Sequence, residues 1–250
     1  MINQDINKYV MRYDYHTHTV YSHGKGQIID NARVAVSKGL EAIAITDHGP
    51  GHKIYGINPK KIPQMREDIR KAKLEYPKLQ IYLGVEANFI DTPSALDVLK
   101  KDVDKYDFII AGYHYGVLKG HMTANLICSN GIYPSGSREH LRKINTEMTV
   151  RALHENDIKI ITHPGDKGPF DIRTISKACE ETNTLMEINT KHDHLTVDEI
   201  KIAETYDVKF IIDSDAHLTE RVGDYKSGLD KAAAAGLDFS RIVNISVKED

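Results

Sequence analysis

At 250 residues and a formal net charge of −3, the chain is long enough to bury one substantial core but has no global basic field to draw it onto a nucleic-acid backbone. Hydrophobic residues at 40% and charged residues at 28% exclude a disordered or fibrous chain. The start has no basic segment followed by an apolar one, and no apolar run reaches the roughly 18 residues of a membrane span, so the expectation is a soluble cytoplasmic protein without a membrane partner.

Short apolar runs at residues 11–15, 42–46, 81–85, 108–111, 158–162, 185–188 and 209–212 predict strands. Between many of them, the segments 30–38, 62–75, 140–155, 172–181 and 197–206 carry helical periodicity. A last helix over 229–235 can stop at Gly236, ahead of a further apolar segment at 242–247. The stretch 112–137, rich in Gly, Tyr, His and Asn, is the candidate for a long active-site loop with room for a local helix. Alternation of strand and helix argues for mainly parallel strands, because a parallel connection needs a crossover long enough for a helix. Seven candidate strands exceed a minimal doubly wound sheet and point to an incomplete or distorted α/β barrel, with an open α/β sheet as the alternative. No linker divides the chain, which reads as one domain over residues 1–250 with a short extension before about residue 12. Cys128 and Cys179 form neither a disulfide framework nor a thiolate metal site, and read as small apolar residues in a reducing compartment.

The recurring feature is positional. Asp47 and His48, Glu86, His114, His163, and then Asp213, Asp215 and His217 each stand at the end of an apolar run. In an α/β barrel the carboxyl ends of all strands meet on one face, so these residues become neighbours. His16-Thr17-His18 and Asp215-Ala216-His217 place alternate side chains on one side of an extended backbone, where imidazole and carboxylate suit Zn, Mn or Fe. Taken singly, each unit has a plain alternative, such as a capped strand end, a structural hydrogen bond or, for Glu86, a salt bridge.

Taken together, DYHTHTVYSHG, AITDHG, GVEANF, AGYH, ITHPG and IIDSDAH resemble, in order and spacing, the motifs of the polymerase-and-histidinol-phosphatase (PHP) superfamily, in particular its stand-alone trinuclear-metal phosphatases. The resemblance runs from about residue 12 to residue 247 and implies a distorted (β/α)7 barrel with three divalent ions, Zn, Mn or Fe. It implies that His16, His18, Glu86 and Asp215 hold one ion, that Glu86 bridges to a second held by His114 and His163, and that His23, His48 and His217 hold a third. His23 lies on a glycine-rich loop whose spacing against the family can shift by one residue.

His192 and His194 form another H-x-H unit and rank as substrate-facing before metal-binding, because the implied ligand set is already filled. His52 is a candidate for the entrance and His121 lies on the long loop, while His140 and His154 fall on helical surfaces or ends. Asp47 and Asp213 are candidates to orient ligand imidazoles. Arg221, then Lys191, with Lys167 behind them, are candidates for phosphate recognition. Hydrolysis of a small phosphomonoester by metal-activated hydroxide is the favoured activity. Histidinol phosphate as substrate, a phosphodiesterase or nuclease activity, sugar isomerisation and a non-enzymatic metal-binding module are the alternatives. Nucleic acid is the disfavoured partner, since no basic-aromatic track accompanies the motifs. Nothing in the sequence addresses an oligomeric partner.

Overall fold

The structure, a computed structural model, describes residues 5–131 and 137–248. The chain enters through β1 (Tyr9–Met11) and then builds one wholly parallel sheet in sequential order. Its strands are β2 (Tyr13–Thr17), β3 (Ala42–Ile45), β4 (Gln80–Asn88), β5 (Phe108–Gly112), β6 (Ile158–Ile161), β7 (Leu185–Asn189) and β8 (Phe210–Asp213). The closing strand, β9 (Ile245–Val247), pairs antiparallel with β1 outside that sheet. The helices α1 (Ile28–Ser37), α2 (Ile62–Glu75), α4 (Ser137–Glu155), α5 (Ile172–Thr182), α6 (Val197–Ala203) and α7 (Lys226–Ala235) intervene, and α3 (Met122–Ser129) lies inside the β5–α4 connection.

The strands are apolar on both faces because both are covered. One large core joins alternate strand residues such as Ile43, Ile109 and Ile212 to helix residues such as Ala32, Met65 and Ile175. A smaller one inside the barrel gathers Ile110, Ile160 and Ile211. Glu86 is in register with Ile110, and Glu187 with Ile211. Those two acids therefore project into the barrel interior as the isoleucines do, and both are fully buried. Helix starts are set locally. Gln27 with Asp30 and Thr196 with Glu199 form reciprocal capping boxes at α1 and α6.

The architecture is a distorted (β/α)7 barrel, nearly closed. The seam between β2 and β8 has two halves. In one, Asn244 is wedged between Tyr13 at the start of β2 and Ile212 of β8. Its Oδ1 accepts from the Ile212 N–H at 3.0 Å, and its Nδ2 donates to the carbonyls of Tyr13 at 2.8 Å and Ile212 at 2.6 Å. Beyond the carboxyl ends, Thr17 pairs directly with Ala216. The His18 N–H donates to the Ala216 carbonyl at 2.9 Å, and the Ala216 N–H to the His16 carbonyl at 3.3 Å.

The first expected strand, 11–15, is divided at Arg12, whose N–H donates to the Asn244 carbonyl and whose carbonyl accepts from Glu41. Residues 5–11 are no loose extension, since the short 3-10 turn Ile6–Lys8 leads into β1, which pairs with β9. The expected helix 197–206 stops at Ala203, and β4 runs on past Val85 to Asn88, so Glu86 lies within its strand. Among the described residues, no helix is long and apolar enough to cross a membrane.

Candidate metal centre

The Thr17–Ala216 bridge determines the site. It puts His16-Thr17-His18 directly beside Asp215-Ala216-His217, so the flanking residues of both triplets share the opposite side from Thr17, whose hydroxyl donates to the Ala44 carbonyl at 2.7 Å. His16 Nε2 lies 3.2 Å from His18 Nε2, 3.2 Å from Glu86 Oε1 and 3.7 Å from Asp215 Oδ1. His18 Nε2 lies 3.6 Å from Glu86 Oε2 and 3.2 Å from Asp215 Oδ1. Bonds of about 2.0–2.2 Å in a tetrahedral zinc site separate neighbouring ligand atoms by roughly 3.3–3.6 Å. His16, His18 and Asp215 thus bring one ligand atom each within 4.8 Å of one another, and Glu86 stands against both imidazoles.

Glu86 also faces the next set, with His114 Nε2 and His163 Nε2 each 3.1 Å from Oε1 and His48 Nδ1 2.8 Å from Oε2. His18, His48 and His217 bring their ligand atoms within 4.8 Å of one another, as do His48, Glu86 and His114. His23 stacks on His48 with ring centroids 4.9 Å apart and meets His217 edge-on at 4.0 Å, and Tyr55 stacks on it at 4.2 Å. Its ring nitrogens stay outside the convergent sets among the described residues.

The donor set fits divalent ions. His48 Nδ1, Glu86 Oε2 and Asp215 Oδ1 are buried and crowd other ligand atoms without hydrogen-bond geometry, a costly arrangement that a cation relieves. Burial opposes ionisation of Glu86, but His114, His16 and His48 outweigh it and hold the carboxyl well below its usual range. Asp215 is held down in the same way by His16, His18, His192 and His217. Burial pushes His18, His48 and His114 below the usual imidazole range, leaving neutral nitrogens with lone pairs to offer. His16 goes the other way. Glu86, Glu187 and Asp215 outweigh its burial and raise it well above that range, so in the ion-free chain its proton does part of a cation's work.

Backbone geometry aims the ligands. His163 and Asp215 adopt positive φ, 30° and 47°, strain of the kind that strand-end sites hold in place. Gly112 is needed for close approach, because a Cβ there would meet Thr162 Oγ1 at 2.1 Å and His163 Cε1 at 3.0 Å. At Gly24 a Cβ would meet the His18 backbone at 2.6 Å, so glycine lets the loop bearing His23 fold under the first motif.

Asp47 accepts from the Thr19 N–H at 2.7 Å and from the Thr19 and Ser22 hydroxyls, and stands 3.9 Å from His18 Nδ1. It fixes the loop behind His18 without hydrogen-bonding the imidazole. Lys191 reaches the rim, with Nζ 2.9 Å from His217 Nδ1 and 3.4 Å from Asp215 Oδ2. His52 stacks on His48 at 5.2 Å beside the entrance.

Three expected roles are corrected, the first that of Asp47, which orients no imidazole by a hydrogen bond. Arg221 is not brought to the cluster; its Nε lies 3.3 Å from Asp224 Oδ2, and it lines a separate cavity of about 520 Å³ with Met11, Lys38 and Leu40. Asp213 orients no ligand imidazole but accepts from the Tyr15 N–H at 2.7 Å, tying β8 to β2. Lys167 pairs with Asp166, and His194 with Glu199 at 2.9 Å. His121 and His154 pair with Asp91 and Glu181. His140 lies exposed on α4.

Three orienting residues escaped the sequence reading. Glu187 Oε1 lies 2.6 Å from His16 Nδ1, while its Oε2 accepts from the His163 N–H at 2.6 Å. Asn88 Oδ1 lies 2.8 Å from His114 Nδ1, and Asp166 Oδ2 3.1 Å from His192 Nδ1. The available signals were a lone acid inside the apolar run LMEIN and a polar residue two places beyond Glu86.

Comparison with known proteins agrees with this arrangement. The PHP domain family model matches residues 14–191. A probable phosphatase of Thermoanaerobacter sp. (strain X514) is 30% identical, with 94% of this chain and 90% of that protein covered. Among solved structures, the putative histidinol phosphatase of Listeria monocytogenes aligns with a TM-score of 0.66 at 14% identity, covering 85% of this chain and 97% of that one. The histidinol phosphate phosphatase of Lactococcus lactis, solved with zinc, L-histidinol and phosphate, aligns with a TM-score of 0.64 at 16% identity, covering 92% and 95%. The chain belongs to the PHP family, and its fold is that family's barrel.

Proposed function

We propose that this chain is a metal-dependent phosphatase that hydrolyses a small phosphomonoester. The observation that carries the reading is the Thr17–Ala216 bridge, which gathers two imidazoles and a carboxylate at ligand spacing beside Glu86. His16, His18, Glu86 and Asp215 would hold one divalent ion, Glu86, His114 and His163 a second, and His48 and His217 with His23 a third; Zn, Mn and Fe all suit these donors. The zinc-bound Lactococcus lactis relative supports the metal class. When bound, such ions polarise a phosphate and lower the pKa of a coordinated water.

The chain's own residues supply position. Glu187 and Asn88 accept at the far nitrogens of His16 and His114 and so fix the ring planes. Lys191 offers an ammonium at the rim where a phosphate oxygen would arrive. Asp47 holds the loop that backs His18. In the reaction a water oxygen bonds to phosphorus, the phosphorus–oxygen bond to the alcohol breaks, and the alcohol leaves with a proton. A cavity of about 330 Å³ beside Asp166, lined also by Arg142, Lys167, His194 and Glu199, suits a small polar alcohol. Histidinol phosphate is a substrate to test, given the Lactococcus lactis relative. Two buried free cysteines accord with a cytoplasmic setting.

The test is hydrolysis of p-nitrophenyl phosphate, histidinol phosphate and bis(p-nitrophenyl) phosphate before and after mild chelation. Monoester turnover should vanish with the fold retained and return with Zn or Mn. Turnover indifferent to chelation, or a preference for the diester, would overturn the reading.

A further inference from the structure

His192 is the one imidazole of the cluster that the three-ion scheme does not use. Its side chain is one-fifth exposed, with Nε2 3.2 Å from Asp215 Oδ2 and Nδ1 3.1 Å from Asp166 Oδ2. The ring is 4.8 Å from that of His163, centroid to centroid. His163, His192 and Asp215 bring one ligand atom each within 4.8 Å of one another. We propose that His192 is a further metal ligand, joining His163 and Asp215 around a divalent cation.

Three features carry the inference, which rests on the metal-centre reading above. First, Asp215 faces His16 and His18 with Oδ1 and His192 with Oδ2, so one carboxylate can serve two ions at once. Lys191 Nζ stands farther from the same oxygen, at 3.4 Å. Second, a metal-binding histidine characteristically gives its other ring nitrogen to a carboxylate or carbonyl. The Asp166–His192 pair repeats what Glu187 does for His16 and Asn88 for His114. Third, the position is pinned through the backbone. The His192 N–H donates to Asn189 Oδ1 at 2.9 Å, its carbonyl accepts from Lys231 Nζ at 3.1 Å, and Asn189 in turn donates to Glu187. These bonds fix the point from which the His192 ring projects toward Asp215.

The experiment measures zinc bound per chain across zinc-buffered solutions, together with the visible spectrum of the cobalt(II)-substituted protein, for the wild type, His192→Ala, His192→Gln and Asp166→Asn. Outer partners of metal-bound histidines typically contribute about 10–100-fold in affinity, so Asp166→Asn should weaken one class of site within that range and His192→Ala beyond it. His192→Gln, which keeps a donor for Asp215, should lose as much as His192→Ala and alter the cobalt bands. Unchanged zinc number, affinity and cobalt spectrum in both His192 variants would overturn the proposal even if turnover fell, because His192 would then only hold Asp215 or meet the substrate. If His192→Ala fails to fold, His192→Gln and Asp166→Asn decide by the same two readouts. A wild type that binds no zinc or cobalt would sink the metal-centre reading itself.

Discussion

Asp213 has one oxygen that accepts from the Tyr15 N–H and one, Oδ2, that is buried with no partner. Burial first, then Asp14 and Glu187, hold its carboxyl well above the usual range. A carboxyl whose folded pKa exceeds the unfolded value of about 3.9 supports folding fully below that value, and this contribution is lost as pH rises through the folded pKa. Asp213→Asn keeps an acceptor for Tyr15 and cannot ionise. The metal-free variant should therefore gain stability over the metal-free parent as pH climbs above about 4, as read from urea unfolding at a series of pH values. A difference that stays flat with pH would show that the charge is not what destabilises the seam. The same residue marks what sequence can tell at this scale. The candidate ligands His16, His18, Asp215 and His217 were legible because H-x-H and D-x-H spacing at strand ends is a local pattern. Glu187, Asn88 and Asp166 were not, because what they orient is set by contacts with residues 171, 26 and 26 positions away. Arg221 failed for the opposite reason, being near His217 in sequence yet turned toward Asp224.

The elements were legible where they are long and periodic. The seven strands and most helices follow from apolar runs and capping residues. The β1–β9 pair did not, since each partner has three residues and only the fold brings the two ends of the chain together. Nor did the seam, where a side chain stands in for a strand ladder. Asn244 is 1% exposed and makes three hydrogen bonds to the backbones of β2 and β8. Asn244→Ala strands the Ile212 N–H and the Tyr13 carbonyl in a dry interior, where an unmet polar group costs about 1–3 kcal/mol. A loss of about 3 kcal/mol would lower the Tm by roughly 6–12 °C in a chain of this size, measurable by calorimetry. The upper half of the seam is held separately by the Thr17–Ala216 bridge, so zinc binding near saturation should survive. A variant that keeps its Tm would mean water replaces the amide and the wedge is dispensable.

At the scale of the whole molecule, the two apolar cores and the site occupy different parts of the barrel. The large core between sheet and helices and the Ile110, Ile160 and Ile211 cluster are built from apolar strand and helix side chains that pack on one another. Folding should therefore not depend on the ions, unlike a small zinc module that is unfolded without its metal. The ions should still add to stability, because they bind the folded chain and relieve buried atoms held without hydrogen-bond geometry, such as Glu86 Oε2 and Asp215 Oδ1. Free zinc at a hundredfold excess over Kd contributes about 2.7 kcal/mol per site, and at about 2–4 °C per kcal/mol one site raises the Tm by roughly 5–11 °C. The chelated protein should thus keep its circular dichroism at 25 °C and unfold cooperatively, only earlier on heating. Loss of helical signal on chelation would place the ions inside the folding problem and favour a structural module. A Tm that ignores zinc would mean that the convergent histidines and carboxylates are satisfied by one another, with the proton on His16 sufficing in place of a cation.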